Sequence, residues 1–369
     1  MKRICIISPA AYPLIIGSSE DGLAGGAEIQ LKTLGFALSR RGYSVSFVVK
    51  DYGQPDYQEL GGVGVYKVPL NHMGGSNLHL VPDMLRFVRT LSRIDADIYL
   101  IKLPRHMLLS LSLFARVAGK RVVFIGQVDA DANSSKLKPT DRWAATWMYR
   151  MGLRLTSAVV AQTEMQKWGF ERAFRREVRV IRNILTMEQD QPDEKENYIL
   201  WVGNSGRHKQ PELFLDLARA LPDLRFRMIM SLSRQRPSDD FIRVQLGDLP
   251  NVEYLGFVPF AEMAGHYKRA ALLVSTSNSE GFPNVFLQSW QFATPTVSLN
   301  IDPDGVIERH NLGRLSGNFE RLVKDVKSLM QDTGFRERMG ANAREYTISN
   351  HSEDVVISQY IDLFNALLD

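Results

Sequence analysis

The chain has 369 residues and one cysteine, Cys5, so no disulfide closes within it and a reducing compartment is expected. No stretch approaches the roughly 18 uncharged apolar residues that a membrane-spanning helix needs. The apolar run at the N-terminus is broken by Pro9 and Pro13, too early for a secretory leader. Zinc-finger spacing, a helix-turn-helix pattern and an RNP-type aromatic strand are all missing, so no nucleic-acid partner is expected. After the first strand there is no Gly-x-Gly-x-x-Gly, only a glycine pair beyond a long loop, which argues against a nicotinamide dehydrogenase. Short repeats and low-complexity segments are lacking too. What remains is a globular composition, 44% hydrophobic and 23% charged, on a chain long enough for two domains.

The net charge of +4 conceals an asymmetry. Residues 1–184 carry 26 Lys and Arg against 15 Asp and Glu, and the remainder carries 19 against 26. A half at +11 beside a half at −7 suggests that the first meets an anionic surface. Its cations include Arg105, Arg116, Lys120, Arg121, Lys136, Lys138, Arg142, Arg150 and Arg154.

Residues 3–8 form a short continuous apolar run, the pattern of a strand buried on both faces of a parallel sheet. Gly25-Gly26-Ala27-Glu28 then opens an amphipathic stretch ending at Gly42, and a second strand follows at 43–49. This is a βαβ unit with glycines at its first strand-to-helix turn. Strand patterns recur at 63–68, 97–101, 121–125, 158–161 and 178–181, with helical patterns between them at 80–94 and 141–156. Residues 186–197 are polar and aperiodic and read as a linker. The alternation restarts with strands at 198–202, 226–230, 252–255, 272–275 and 296–299 and helices at 211–221 and from Asn284. Helical spacing of Val355, Val356, Tyr360, Ile361 and Phe364 marks a terminal helix with one buried face. The fold class predicted is α/β, as two tandem doubly wound domains.

The most informative segment is 275–291. A strand ends at Ser275, a polar turn leads to Glu280-Gly281-Phe282-Pro283, and Asn284 starts a helix carrying Gln288 one turn on. Ligands of open parallel sheets bind at strand carboxyl ends, where helix N-termini favour anions. Glu280 can accept hydrogen bonds from sugar hydroxyls there, or cap the helix instead.

These residues resemble the glycosyltransferase family 4 group of GT-B fold enzymes, whose mark is an acidic residue, seven intervening residues and a second acidic residue around a Glu-Gly-Phe turn. The resemblance implies that Glu280 meets the donor sugar and that position 288, here Gln rather than an acid, meets the nucleotide ribose. It extends to Gly203 at the end of a strand and Lys209 six residues on, with Asn204 where the family has Arg. Arg207 stands between them, and Lys209 and Arg207 together would neutralise a diphosphate leaving group. It also places Gly25 and Gly26 beneath the donor diphosphate. The loop 300–306 follows another strand end, with Gly305 read as a turn residue.

The family carries a His near the donor anomeric carbon. His106 is the candidate here, and Asp129 and Asp131 are candidates to orient or deprotonate an acceptor hydroxyl. Each of these positions also admits a purely structural role.

The resemblance therefore implies GT-B architecture, two Rossmann-like domains facing a cleft. An acceptor domain at 1–185, a linker at 186–197, a donor domain at 198–350 and a helix at 351–369 returning to the first domain are expected. It further implies a retaining, metal-independent hexosyl transfer from a nucleotide-sugar, which is a substrate and not a cofactor. The acceptor hydroxyl would belong to a sugar or lipid-linked molecule in polysaccharide, glycolipid or lipid-linked oligosaccharide synthesis. A cytoplasmic protein with a peripheral contact at an anionic inner membrane face is expected. Two alternatives stay open. Asn204 and Gln288 fit an inactive sugar-nucleotide-binding relative, and a sugar-nucleotide epimerase shares the fold.

Overall fold

The computed structural model describes residues 1–17, 25–68, 80–102, 107–127, 143–188, 195–233, 236, 238–247 and 249–369. It divides into two compact units, Met1–Ile184 with Glu353–Asp369, and Leu185–Ser352.

The first unit is built on eight strands: β1 Arg3–Ile7, β2 Ser44–Val49, β3 Tyr57–Leu60, β4 Val63–Lys67, β5 Ile98–Ile101, β6 Arg121–Ile125, β7 Ala158–Ala161 and β8 Arg179–Val180. Their order is β3-β4-β2-β1-β5-β6-β7-β8. All neighbours run parallel except β3, which pairs antiparallel with β4 across Gly61-Gly62. Both glycines have positive φ, +57° and +81°, the geometry of a two-residue hairpin turn that other residues adopt only under strain. β1 lies centrally, and its period-2 pleat sends Ile4 and Ile6 into one core and Cys5 and Ile7 into the other. Helices Gly26–Arg40 and Glu353–Leu368 cover the first face, where Val356, Ile357, Tyr360 and Phe364 are buried. Helices Leu80–Ile94, Leu108–Val117, Trp143–Leu155 and Glu164–Phe174 cover the second.

The second unit has six strands: β9 Tyr198–Asn204, β10 Arg225–Ser231, β11 Val252–Gly256, β12 Leu272–Ser275, β13 Thr296–Ser298 and β14 Gly313–Leu315. They are all parallel, in the order β11-β10-β9-β12-β13-β14. Helices Pro211–Ala220 and Phe319–Gln331 fill one face around Trp201 and Phe214. Helices Met263–Arg269, Asn284–Trp290 and Thr333–His351 fill the other around Trp290, Phe286 and Tyr346. Because β9 lies beside β12, the loops leaving their carboxyl ends are neighbours although some 70 residues separate them. That adjacency positions the site.

Candidate active site

β9 ends in a turn whose side chains are dictated by close packing. The Asn204 side-chain oxygen accepts from the Gly206 amide at 2.9 Å, closing an Asx turn. A Cβ on Gly206 would lie 2.7 Å from that same oxygen and 2.8 Å from the His208 ring, so a larger residue there would displace both side chains. Asn204 thus has a local job, shaping the turn. Arg207–Lys209 form a single 3-10 turn, the chain reverses at Gln210 (φ +48°), and Pro211 opens the next helix.

β12 runs into Thr276–Pro283 and then the helix Asn284–Trp290. Three hydrogen bonds lock this loop to the first one. The Trp201 indole donates to the Thr276 hydroxyl at 2.9 Å, that hydroxyl donates to the Lys209 carbonyl at 2.7 Å, and the Asn278 amide donates to the His208 carbonyl at 2.9 Å. Thr276 is fully buried, so its two bonds are shielded from water. Trp201 and Thr276 escaped the sequence reading, since neither residue type signals a support role.

The clamp brings the Lys209 ammonium onto the Glu280 carboxylate in a direct ion pair, with side-chain exposures of only 14% and 16%. Two residues singled out by separate motifs, 71 positions apart, are therefore in contact. Glu280 is engaged with Lys209, while the residue capping the following helix is Pro283, without a side-chain bond. Gly281, Phe282 and Pro283 are buried, and Phe282 meets the Trp290 ring edge-on at 6.1 Å. Gly203 is the sixth residue of β9, packed over the Trp201 ring, and the Arg207 side chain is exposed.

Asn284 and Gln288 occupy the helix that follows. The Gln288 carbonyl oxygen accepts from the Tyr267 hydroxyl at 2.8 Å. Burial raises the Tyr267 pKa, which keeps that hydroxyl a donor. With its oxygen so engaged, Gln288 keeps its NH₂ group to offer a ligand. Gly305 has φ +68° and serves as the turn residue read from sequence, and Asp302 accepts from the Ile307 amide at 2.8 Å.

In the first unit, Gly25 is the N-cap of helix Gly26–Arg40, and its amide donates to the Glu28 carboxylate at 3.0 Å. Burial raises the Glu28 pKa against the pull of these hydrogen bonds and of Lys102. His106 and Asp129 lie outside the described residues, as do Asp131, Arg105, Lys136, Lys138 and Arg142.

His208 gives the site a pH signature. Burial first, then the Lys209 charge, lower its pKa, with Glu280 pulling the other way. The unfolded chain begins to bind this proton near pH 6.5 while the folded one stays neutral. Stability is therefore whole above that pH and is lost as pH falls below it toward the folded value. Urea unfolding of His208→Asn is expected to show a shallower loss between neutral and mildly acidic pH than the parent. Superimposable pH profiles would contradict the assignment.

Two parallel α/β units of this topology make the GT-B fold, and the solved structures that the chain resembles carry it. Sucrose-phosphate synthase from Thermosynechococcus elongatus superposes with a TM-score of 0.79 at 16% identity, over 100% of this chain and 99% of that one. A Staphylococcus aureus TarM variant, solved with fondaparinux, alpha-GlcNAc-glycerol and UDP, gives 0.77 at 14% identity, over 99% and 100%.

The family follows from the sequence models. Residues 184–346 match glycosyl transferases group 1 and residues 24–189 match glycosyltransferase family 4. The chain belongs to this family of glycosyltransferases. An uncharacterized glycosyltransferase of Methanocaldococcus jannaschii is 22% identical over 94% of this chain and 96% of its own length. Two other curated relatives are matched over part of their length only. They are the capsular polysaccharide biosynthesis glycosyltransferase CapM of Staphylococcus aureus (22% identical, 45% of this chain, 44% of that protein) and glycosyltransferase 1 domain-containing protein 1 of Xenopus tropicalis (26%, 31% and 34%).

Proposed function

We propose that the chain transfers a hexosyl group, with retention and without a metal, from a nucleoside diphosphate sugar to an acceptor hydroxyl in polysaccharide, glycolipid or lipid-linked oligosaccharide synthesis. The observation that carries this reading is the half-buried Lys209–Glu280 pair at the carboxyl edge of the second sheet. In transfer, the bond from the anomeric carbon to the diphosphate oxygen breaks, and its electron pair leaves on the phosphate. The acceptor oxygen forms the new bond, and its proton passes to the departing phosphate oxygen. A cation at the departing oxygen is the main electrostatic requirement. Lys209 supplies it, Arg207 adds to it from the exposed turn, and Glu280 accepts hydrogen bonds from sugar hydroxyls. Diphosphate and Glu280 then share one ammonium, which ties sugar recognition to leaving-group stabilisation.

Gly203 and the segment Gly281-Phe282-Pro283-Asn284 let the donor approach the backbone, and Gln288 contacts the ribose. Gly25 and Gly26 are assigned to the donor diphosphate, and His106 and Asp129 to the reacting carbon and the acceptor. CapM, by its name, works in capsular polysaccharide biosynthesis, which supports a polymeric or lipid-linked acceptor.

A panel of UDP-, GDP- and ADP-sugars screened for thermal stabilisation, followed by product analysis on the stabilising donor, tests the reading. Stabilisation with glycosyl transfer is expected. Binding without turnover on any acceptor identifies a sugar-nucleotide-binding protein instead, and an isomerised donor identifies an epimerase. Gln288→Ala is expected to raise the donor KM by about five- to tenfold, the worth of one hydrogen bond, with kcat within about twofold. An unchanged KM would remove Gln288 from the donor site.

A further inference from the structure

Resting on the transfer reading above, we propose that His208 is a third ligand of the donor diphosphate, beside Lys209 and Arg207, and that its imidazole takes up a proton when the donor binds. His208 is the middle residue of the single 3-10 turn that follows β9. Two neighbouring loops hold that turn in place. From the β12 side, the Asn278 amide donates to the His208 carbonyl at 2.9 Å and the Thr276 hydroxyl to the Lys209 carbonyl at 2.7 Å. From the β10 side the anchor is Ser205, which is fully buried just ahead of the turn. Its hydroxyl donates to the Arg236 carbonyl at 2.6 Å and accepts from the Ser233 amide at 2.7 Å.

With the backbone so fixed, the ring lies over Gly206, where an added Cβ would stand 2.8 Å from its Cε1 and 2.9 Å from its Nδ1. The side chain is half-buried, yet no described residue forms a hydrogen bond with either ring nitrogen. Both nitrogens therefore keep their hydrogen-bonding capacity for a ligand or for water. The two cations already assigned to the diphosphate flank the residue in sequence, so a diphosphate held by them lies within its reach.

The charged groups that face the ring are Lys209, on its own turn, and Glu280, from the β12 loop. Residues 277–279, which lead to Glu280, carry no ionisable side chain. Arg236, the described cation of the β10 loop, is paired with Glu212. In the free chain burial and then the Lys209 charge lower the imidazole pKa, so the ring is neutral at neutral pH. A diphosphate laid on Lys209 reverses that balance. It offsets the ammonium that keeps the proton away and adds negative charge beside the ring. The imidazole then takes a proton from solvent and donates it in a hydrogen bond to a phosphate oxygen. A ring that is neutral when free and protonated when bound makes affinity rise as pH falls through the bound-state pKa. The gain levels off below the free-state value.

Calorimetric titration of the full chain with the UDP-, GDP- and ADP-sugars of the panel above, in two buffers of different ionisation enthalpy, tests this. A nucleoside diphosphate sugar has no group of its own that titrates near neutral pH, so a proton exchanged on binding belongs to the protein. For the donor that binds, proton uptake is expected, with a dissociation constant about three- to tenfold lower at about pH 6 than at about pH 8. His208→Asn should abolish the uptake and the pH dependence while keeping the parent's affinity at the higher pH. His208→Lys, with a permanent charge, should hold the tighter affinity across the range. A purely structural role would instead weaken both variants alike at both pH values. That result, a pH-independent affinity in the parent, or a pH dependence that survives His208→Asn would overturn the assignment and leave the transfer reading standing. Binding of none of the panel would overturn both.

Discussion

Glu280→Ala is expected to lower transfer at saturating donor on the order of a hundredfold or more while the chain stays folded. The substitution removes the only carboxylate that the β9 and β12 loops bring onto Lys209 among the described residues, and it leaves the Thr276 clamp untouched. Lys209→Ala should be comparably damaging to turnover but worse for stability. It strands the Glu280 carboxylate at 16% exposure without its cation. Breaking a fully buried pair costs about 3–5 kcal/mol, so about 2 kcal/mol is expected for this partly solvated one. Removing both charges should restore most of that stability while leaving transfer as low as in either single variant. Steady-state kinetics and denaturant unfolding on the three variants check this. Full activity in Glu280→Ala, or strictly additive stability losses, would contradict the coupled role assigned to the pair.

Gly340→Ala is expected to destabilise the second unit, although alanine is the better helix former. Gly340 lies within helix Thr333–His351, where the exchange alone would gain about 1 kcal/mol. A Cβ there, however, would lie 2.1 Å from the Ala293 carbonyl oxygen, a backbone atom that cannot rotate away. Overpacking costs about 1–3 kcal/mol and occasionally more, and a clash with a fixed backbone oxygen falls at the upper end, so it outweighs the propensity gain. For a unit of this size the melting temperature should fall by roughly 4–8 °C, for a net loss near 2 kcal/mol. The loss would reach the site. Helix Thr333–His351 supports helix Asn284–Trp290 through Tyr346, whose ring meets Trp290 at 5.9 Å. Gly247→Ala is the control. Gly247 has φ −54°, and its nearest neighbour, the Val244 carbonyl oxygen, is 3.9 Å from the added methyl, so a change within about 1 kcal/mol is expected. Differential scanning calorimetry distinguishes them, and equal melting temperatures for the two variants would contradict the packing argument.

Much of this organisation is legible in the chain itself. The buried strands β6, β7 and β12 stand at the positions their unbroken apolar runs indicate, because strands covered on both faces need little else. Helix Asn284–Trp290 begins where Pro283 and the preceding glycine require. β3 and β14 are less visible, being short edge strands with exposed or polar positions. Helix Thr333–His351 is hidden for a related reason. It buries its contact face with Gly340, Ala343 and Tyr346 rather than with a stripe of large aliphatics.

The site shows the same division. Local spacing marks Glu280 and Lys209 separately, each in its own strand-to-helix loop. Their contact depends on β12 returning to lie beside β9, a non-local pairing that spacing does not encode. Tyr267 holds Gln288 from another helix, 21 residues earlier in the chain. Asn204 departs from the family pattern, and its side chain is occupied in shaping its own turn.

A crystal structure of the chain with a stabilising nucleoside diphosphate sugar tests the central claim most directly. The diphosphate is expected within hydrogen-bonding distance of the Lys209 ammonium, with a donor sugar hydroxyl on Glu280 and the ribose at Gln288. A nucleotide bound elsewhere, with the Lys209–Glu280 pair untouched, would contradict it.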